Sequence, residues 1–179
     1  MNVLIFYATV EGHTRKIAQT IATTVENEGH RVFLADAAQP GLADPGSYDA
    51  AILCAPIHIG KYPSAFVHFI RQWKHSLSSV PTALVTSSLA IASKSSKERA
   101  EAEKFPRLLE ENTGWRAKSE YNAAGALKYL EYDFLRRWAL RYIAGKEGGP
   151  TDTTRDHEMT DWKALEKFVK KFLVDADRS

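Results

Sequence analysis

Short apolar runs alternate along the chain with segments whose apolar residues recur at helical spacing. Each apolar run is typical of a buried strand. Five strands are predicted, in chain order, by the segments "NVLIFYA", "HRVFLADA", "YDAAILCAP", "PTALVTSSLA" and, less cleanly, "WRAKSEYNAAGAL". Helices are predicted between and after them, over residues 13–28, through "SAFVHFIRQW", around 96–112 and through "TDWKALEKFVKKFLVD".

The helices carry signals that help to set their faces and ends. Ile17, Ile21 and Val25 form one apolar face of the first helix, which is predicted to end near Gly29. Thr160 is the predicted N-cap of the last helix. The alternation of strands and helices predicts an α/β fold. The near-continuous apolar character of the strands predicts a parallel sheet with helices on both faces.

In such a sheet, ligands bind beyond the carboxyl ends of the strands, where the strand order reverses. The loop after the first strand reads "TVEGHT", from Thr9 to Thr14. It can direct backbone N–H groups, two threonine hydroxyls and a helix N-terminus to one point, and this combination favours a phosphate. The GK[ST] and GxGxxG patterns are missing, which argues against a nucleoside triphosphate or a dinucleotide. The alternative is a capped helix in which Thr9 or Thr14 satisfies free N–H groups.

The loops after the third and fourth strands carry residues suited to a planar ring. The segment "APIHIGKYPSAF" contains Gly60, which permits a close backbone approach. Its apolar and aromatic wall is predicted to consist of Ile57, His58, Ile59 and Tyr62. In "TSSLAIAS", Ser87 and Ser88 have small apolar neighbours, so that the edge of a ring could meet backbone groups there. The coincidence of three such loops at one edge of the sheet predicts a binding site.

Composition narrows the class of protein. With 179 residues, of which 44% are hydrophobic, we expect one domain over 1–179. No apolar run approaches the roughly 20 residues that span a bilayer, and we expect neither a signal peptide nor a metal site. Cys54 has no partner for a disulfide and is predicted to be a small core residue in a reducing compartment, so a cytoplasmic location is expected. A formal net charge of +2 does not indicate nucleic-acid binding.

Several segments resemble a known family. They are "YATVEGHTRKIA", "APIHIGKYPSAF", "AGALKYLEYDFLRRW", "GGPTDT" and "TDW", spread from the first strand to the last helix. The chain resembles flavodoxin-like domains and, more narrowly, the menaquinone-dependent protoporphyrinogen IX dehydrogenases of heme biosynthesis. The resemblance implies a five-stranded parallel sheet in the order 2-1-3-4-5, with a long insert after or within strand five.

The resemblance also implies a cofactor and an activity. It implies FMN, with its phosphate on the first loop and its isoalloxazine between residues 57–60 and 87–90. The implied FMN-binding residues are Thr9, Val10, Glu11, Gly12, His13, Thr14, Ile57, His58, Ile59, Gly60, Ser87, Ser88, Leu89 and Ala90. The implied reaction oxidises protoporphyrinogen IX in three cycles, by hydride transfer to flavin N5, and passes the electrons to a quinone. No catalytic acid or base is implied.

The insert, residues 127–157, is much longer than the two to six residues usual for such a connection. At about 100° per residue, an apolar and aromatic face and an arginine face separate on one amphipathic helix. The apolar face consists of Phe134, Leu135, Trp138, Ala139, Tyr142 and Ile143, and the basic face of Arg136, Arg137 and Arg141, with Leu140 as the one exception. Together with Lys128, these arginines are the predicted partners of the porphyrinogen propionates. The helix is compatible with peripheral contact at the cytoplasmic face of a membrane, with a cover over the flavin, or with simple packing on its own domain.

Other functions stay open at this point. A flavodoxin-type electron carrier is expected to be strongly acidic, whereas this chain has a net charge of +2 and an arginine-rich insert. An NAD(P)H:quinone reductase is a further alternative. A cofactor-free signalling receiver needs clustered acidic residues after strands one and three, where this sequence has "YATVEG" and "APIHIG".

Overall fold

The computed structural model describes residues 1–39, 41, 44–93, 95–127 and 157–178. Within them, a five-stranded parallel sheet has the order β2-β1-β3-β4-β5. Its strands are β1 (Asn2–Tyr7), β2 (Arg31–Asp36), β3 (Ala50–Pro56), β4 (Thr82–Ser88) and β5 (Ser119–Ala124). The predicted fold class and strand order are confirmed.

Five described helices accompany the sheet. They are α1 (His13–Asn27), α2 (Ser64–Ser79), α3 (Ser96–Ala102), α4 (Phe105–Thr113) and α5 (Trp162–Asp177). Short 3₁₀ turns cover Pro45–Ser47 and Leu89–Ala92. In the part of the chain that the structure describes, no helix is both long enough and apolar enough to cross a membrane.

Alternate residues of the central strands build two separate cores, because successive side chains of a strand point to opposite faces. Val3, Ile5 and Tyr7 pack on the face covered by α1 and α5, whose buried residues include Ile17, Ile21, Val25, Leu165 and Val169. Leu4 and Phe6 pack on the other face, against α2 and α4. Helices therefore cover both faces, as predicted, and Cys54 is fully buried in the first of the two cores.

Some predicted bounds are wrong. The predicted helix around 96–112 is two helices, and Pro106 lies in the first turn of the second, where its missing N–H does no harm. The predicted fourth strand ends at Ser88, before a 3₁₀ turn. The predicted fifth strand, 115–127, is shorter: β5 ends at Ala124, and β6 (Ala126–Leu127) pairs antiparallel with β7 (His157–Glu158) in a separate two-stranded ladder.

This ladder places both described ends of the insert next to each other. The remainder of the insert, with Lys128, Arg136, Arg137 and Arg141, lies outside the described residues. Gly125 stands between β5 and β6, and its backbone joins the two ends to the sheet. Its N–H donates to the Ser88 carbonyl at 3.0 Å, and its carbonyl accepts from the Met159 N–H at 3.3 Å.

Candidate functional site

A cleft lies at the carboxyl edge of the sheet, where the strand order reverses between β1 and β3. The loops after β1, β3, β4 and β5 all contribute to its wall. The lining residues are Val10, Glu11, His13, Thr14, Pro56, Ile57, His58, Ser87, Ser88, Leu89 and Gly125. The structure therefore brings together residues from the three loops selected from the sequence, and adds Pro56 and Gly125.

The loop after β1 presents the start of α1 to the cleft. Gly12 has a left-handed backbone, with φ of 81°, and its N–H donates to Thr9 Oγ1 at 2.9 Å. The glycine permits this turn because it lacks a Cβ. The helix begins at His13 with no side-chain cap and no acidic residue in its first turn. Thr9 thus satisfies one N–H before the helix, and the uncapped first turn favours an anion.

Three buried hydroxyl residues stand along the cleft. Thr14, Ser87 and Ser88 are only 2%, 5% and 6% exposed, although all three line the cleft. Ser88 Oγ accepts from the Ala90 N–H at 3.2 Å and so caps the 3₁₀ turn that carries Leu89. Burial of a polar group costs free energy unless the protein or a ligand provides a hydrogen-bond partner for it.

The loop after β3 is a tight turn. His58 and Lys61 exchange backbone hydrogen bonds of 3.0 and 3.2 Å around Ile59 and Gly60. Both central residues have positive φ, 49° and 71°, as in the type I′ turns of hairpins. A β-branched residue rarely adopts this conformation. Burial of the side chain does not compensate for the strain, because Ile59 is 86% exposed. The turn therefore displays a strained apolar residue to solvent.

Tyr62 is wrongly placed by the sequence prediction. Its hydroxyl is 2.7 Å from Thr86 Oγ1, and its ring stacks on Phe66 with 5.7 Å between centroids. Burial raises the pKa of this phenol well above its ordinary value. Tyr62 therefore packs against the core between the sheet and α2, and Pro56, Ile57 and His58 line the cleft on this side.

The remaining predicted site residues border the cleft without lining it. Thr9 and Gly12 shape the first loop, Ile59 and Gly60 form the tip of the turn after β3, and Ala90 lies in the 3₁₀ turn. Gly125 was missed, although it belongs to the "AGAL" segment that carries part of the family resemblance. A Cβ there would lie 3.2 Å from the Leu89 backbone nitrogen, so the glycine permits close contact between the ends of β4 and β5.

A hydrogen-bonded junction connects the cleft to the start of α5. His13 Nε2 is 2.9 Å from Thr160 Oγ1, and that hydroxyl donates to the Ala124 carbonyl at 2.6 Å. The His13 ring also meets the Trp162 ring edge to face at 6.1 Å. Thr160 was predicted to be the N-cap of this helix, but Asp161 is the N-cap, because its Oδ1 accepts from the Ala164 N–H at 3.0 Å.

A charged cluster lies beside the first loop and was not predicted from the sequence. Arg15 donates to the Tyr7 hydroxyl and to Asp36, each at 3.2 Å, and the Ala38 N–H donates to Asp36 at 3.0 Å. Burial of Asp36 acts to raise its pKa, but these hydrogen bonds outweigh that effect and the net pKa is lowered. Burial raises the pKa of Tyr7. The cluster joins the ends of β1 and β2 to the first turn of α1.

Comparisons with known proteins agree with this architecture. The model of the flavodoxin domain family matches residues 4–154. A flavodoxin of Fusobacterium nucleatum, solved bound to flavin mononucleotide, superposes with a TM-score of 0.54 at 12% identity, over 99% of this chain and 97% of its own. At that identity the likeness concerns the fold.

Two relatives are similar in sequence. The protoporphyrinogen IX dehydrogenase (quinone) of Escherichia coli K12 is 30% identical over 178 residues, which cover 99% of this chain and 98% of that protein. A protein of the same name from Leishmania major is 32% identical over 175 residues, 96% of this chain and 74% of that protein. The chain belongs to the flavodoxin domain family and, within it, to the group of the protoporphyrinogen IX dehydrogenases (quinone).

Proposed function

We propose that this protein is an FMN-dependent dehydrogenase that oxidises protoporphyrinogen IX to protoporphyrin IX and passes the electrons to a quinone. The observation that carries the proposal is the match to a protoporphyrinogen IX dehydrogenase (quinone) over nearly the full length of both chains. The position of the cleft supports it, since small-molecule sites of this fold lie at the point where the strand order reverses.

The residues of the cleft fit FMN in two separate parts. The phosphate would sit at the start of α1, where the uncapped backbone N–H groups and the buried Thr14 hydroxyl can donate to it. The planar ring would lie between the loop after β3 and the loop after β4, with apolar contacts from Ile57 and Leu89. Thr9, Gly12, Gly60 and Ala90 border the cleft and would determine the shape of these loops.

The rim of the cleft is suited to large apolar reactants. Val10, Ile59 and Leu89 are 51%, 86% and 42% exposed, and each comes from a different loop at this edge of the sheet. Porphyrinogens and quinones both have extensive apolar surfaces, whose removal from water favours contact with aliphatic side chains. The exposed rim therefore supports a reaction with such compounds better than one with a small polar substrate.

The protein's own contribution is binding, orientation and exclusion of water. Bound FMN supplies the redox chemistry, so a set of catalytic side chains is not required for the oxidation itself. Backbone hydrogen bonds between His58 and Lys61 close the turn at Ile59 and Gly60, and the bond from the Ala90 N–H to Ser88 Oγ caps the turn at Leu89. Walls tied by these hydrogen bonds would keep a planar group in one orientation.

The substrate's propionates require cations, and Lys128, Arg136, Arg137 and Arg141 are the candidates from the sequence. These residues lie outside the described part of the chain, and their role is a proposal from the sequence pattern. The residues that flank the insert support it, because Gly125, just before the insert, both lines the cleft and accepts a hydrogen bond from the N–H of Met159, just after it. Peripheral contact of the insert with an anionic membrane is part of the same proposal.

An anaerobic assay tests the function directly. Purified FMN-loaded protein is mixed with protoporphyrinogen IX and a menaquinone analogue, and the rise of porphyrin fluorescence is followed against a sample without protein. The proposal requires porphyrin formation that depends on both the protein and the quinone. A protein that binds FMN but forms porphyrin no faster than the blank would contradict the proposed substrate.

A further inference from the structure

The junction between His13, Thr160 and Ala124 contains a single hydroxyl proton, and this proton determines the role of the histidine. Thr160 Oγ1 is 2.6 Å from the Ala124 carbonyl oxygen, a distance that needs a proton between the two oxygens. A carbonyl oxygen has no proton to offer, so the Thr160 hydroxyl must donate. Thr160 Oγ1 can then only accept from His13 Nε2, which lies 2.9 Å away.

We infer that Thr160 is a positioning residue that holds the His13 ring at the cofactor cleft as an Nε2–H donor. In the neutral imidazole this excludes a proton on Nδ1, and in the imidazolium the same Nε2–H bond is kept. The inference rests on the proposed FMN site, since its purpose is to present the ring of a cleft residue in one tautomer and one orientation.

The junction is packed between neighbouring elements on both sides. Thr160 is 8% exposed, and its partner Ala124 is the last residue of β5, held in the sheet by parallel pairing with Ser88. On the other side, the Trp162 ring meets the His13 ring at 6.1 Å, and Lys16 Nζ lies 5.0 Å from the centre of the same indole. Three elements, α1, β5 and α5, thus meet around one hydroxyl.

The position of Thr160 in the chain explains why it is available for this role. A threonine next to a helix start normally caps the helix, but Asp161 performs that task here. The hydroxyl of Thr160 is consequently left to bridge a strand end and the first residue of α1. The rest of the "TDW" segment contributes the cap and the indole.

Two variants of Thr160 test the inference, with a matched control in the same protein. Thr160→Val keeps the shape and removes the hydroxyl, whereas Thr160→Ser keeps the hydroxyl. Thr24→Val is the control, because Thr24 is a 6% exposed residue of α1 whose hydroxyl donates to the Thr20 carbonyl at 2.9 Å, away from the cleft. All three are prepared with ¹⁵N-histidine, without FMN and again with FMN.

The first measurement is the two-bond ¹H–¹⁵N spectrum of the apo-protein, at a pH at which the spectrum reports a neutral ring, with His13 assigned through His13→Gln. We expect a protonated Nε2 in the wild type, in Thr160→Ser and in Thr24→Val, and a mixture of tautomers in Thr160→Val. A protonated Nδ1 in the wild type, or an unchanged His13 spectrum in a folded Thr160→Val, would overturn the inference. This measurement does not depend on FMN, so it remains informative if the proposed function fails.

The second measurement is the FMN dissociation constant of each variant, by fluorescence quenching. We expect Thr160→Val to weaken FMN binding about three- to tenfold, because this factor corresponds to the net contribution of roughly one hydrogen bond. Thr160→Ser and Thr24→Val should remain within about twofold of the wild type. If Thr160→Val no longer holds His13 in the Nε2–H tautomer but binds FMN as tightly as the wild type, the positioning role is overturned and the proposed FMN site is not affected.

Discussion

Hydroxyl side chains in the cleft differ in whether the protein itself gives them a structural role. Thr14 is 2% exposed and lines the cleft at the start of an uncapped helix, so its hydroxyl is well placed for a ligand. Ser88, by contrast, already caps a turn. The two hydroxyls therefore carry different expectations for mutation.

We expect Thr14→Val to weaken FMN binding roughly ten- to a hundredfold, since a hydrogen bond to a charged phosphate contributes about 1.5–3 kcal/mol. The apo-protein should remain folded, because valine has nearly the shape of threonine. Titration of the apo-protein with FMN measures the effect, and Thr24→Val, in the same helix, serves as the control. Wild-type affinity in Thr14→Val would remove this hydroxyl from the site.

Ile59 offers a prediction about stability. Its φ of 49° is costly for a β-branched residue, and at 86% exposure its side chain gains little from burial. Asparagine tolerates positive φ, and Asn-Gly is the preferred pair for such a turn. We expect Ile59→Asn to raise the free energy of unfolding of the apo-protein by about 1 kcal/mol.

Urea unfolding of the apo-protein measures this change. Leu108→Asn is the matched control, because Leu108 is also an exposed aliphatic residue, at 51%, but lies within the helix α4. The control should be neutral or slightly destabilising, as asparagine is a weaker helix former than leucine. A loss of stability in Ile59→Asn would show that the side chain makes contacts that outweigh its backbone strain.

At the scale of elements, the cluster of Tyr7, Arg15 and Asp36 ties β1, β2 and α1 together next to the first loop. Asp36 is the partly buried anion of this group, and its folded-state pKa is lowered by its hydrogen bonds. A lowered carboxyl pKa means that the ionised form stabilises the folded protein. That contribution is complete above the unfolded pKa of about 4 and is lost as the pH falls through the lower folded value.

We therefore expect Asp36→Asn to lower the free energy of unfolding by about 0.5–1 kcal/mol at pH 7, a modest value because Arg15 is half exposed. The difference from the wild type should shrink as the pH falls below about 4. Urea unfolding at a series of pH values measures it, with the exposed Asp177→Asn as the control. A difference that stays constant with pH would mean that the charge of Asp36 contributes nothing.

At the scale of the whole molecule, the distribution of charge bears on whether the protein attaches to a membrane surface. The net charge is +2, and the predicted basic face of the insert holds Arg136, Arg137 and Arg141, outside the described residues. Each arginine near an anionic membrane contributes about 1 kcal/mol, so three of them would give a reversible attachment.

Replacing these three arginines together by glutamine should weaken sedimentation with anionic liposomes and turnover of protoporphyrinogen IX, and should leave FMN affinity unchanged. The liposome effect should diminish as salt is added, because salt screens exposed charges. Lys163, Lys167 and Lys171 on the exposed face of α5 provide a control with the same change in charge. If both variants behave alike, the attachment depends on net charge and not on the insert.

The choice of electron acceptor also depends on the surface of the whole molecule. Reduced protein should be reoxidised by a menaquinone analogue much faster than by a one-electron protein carrier, because the rim is apolar and the net charge is not strongly acidic. Stopped-flow reoxidation compares the two acceptors. Equal or reversed rates would favour a flavodoxin-type carrier.

Local sequence patterns predicted the strands, the helices and the loops that face the cleft. Local patterns suffice for these features, because the period of apolar residues distinguishes a strand from a helix and parallel strands end at a common edge. The family resemblance added the strand order and the cofactor. Bounds failed where two local signals competed, as at Pro106 and at the end of the fifth strand.

The contacts between side chains that are distant in sequence, in contrast, depend on how the whole chain folds. Thr160 and Asp161 are both good N-caps in sequence, so their roles depend on which one faces the helix. His13 and Thr160 are 147 positions apart, and their hydrogen bond exists because β5 and α5 bring them to the same edge. Tyr62 was assigned to the cleft by its neighbours in the chain, but the apolar core offers its ring more burial. Contacts of this kind follow from packing over the whole chain, which no local pattern records.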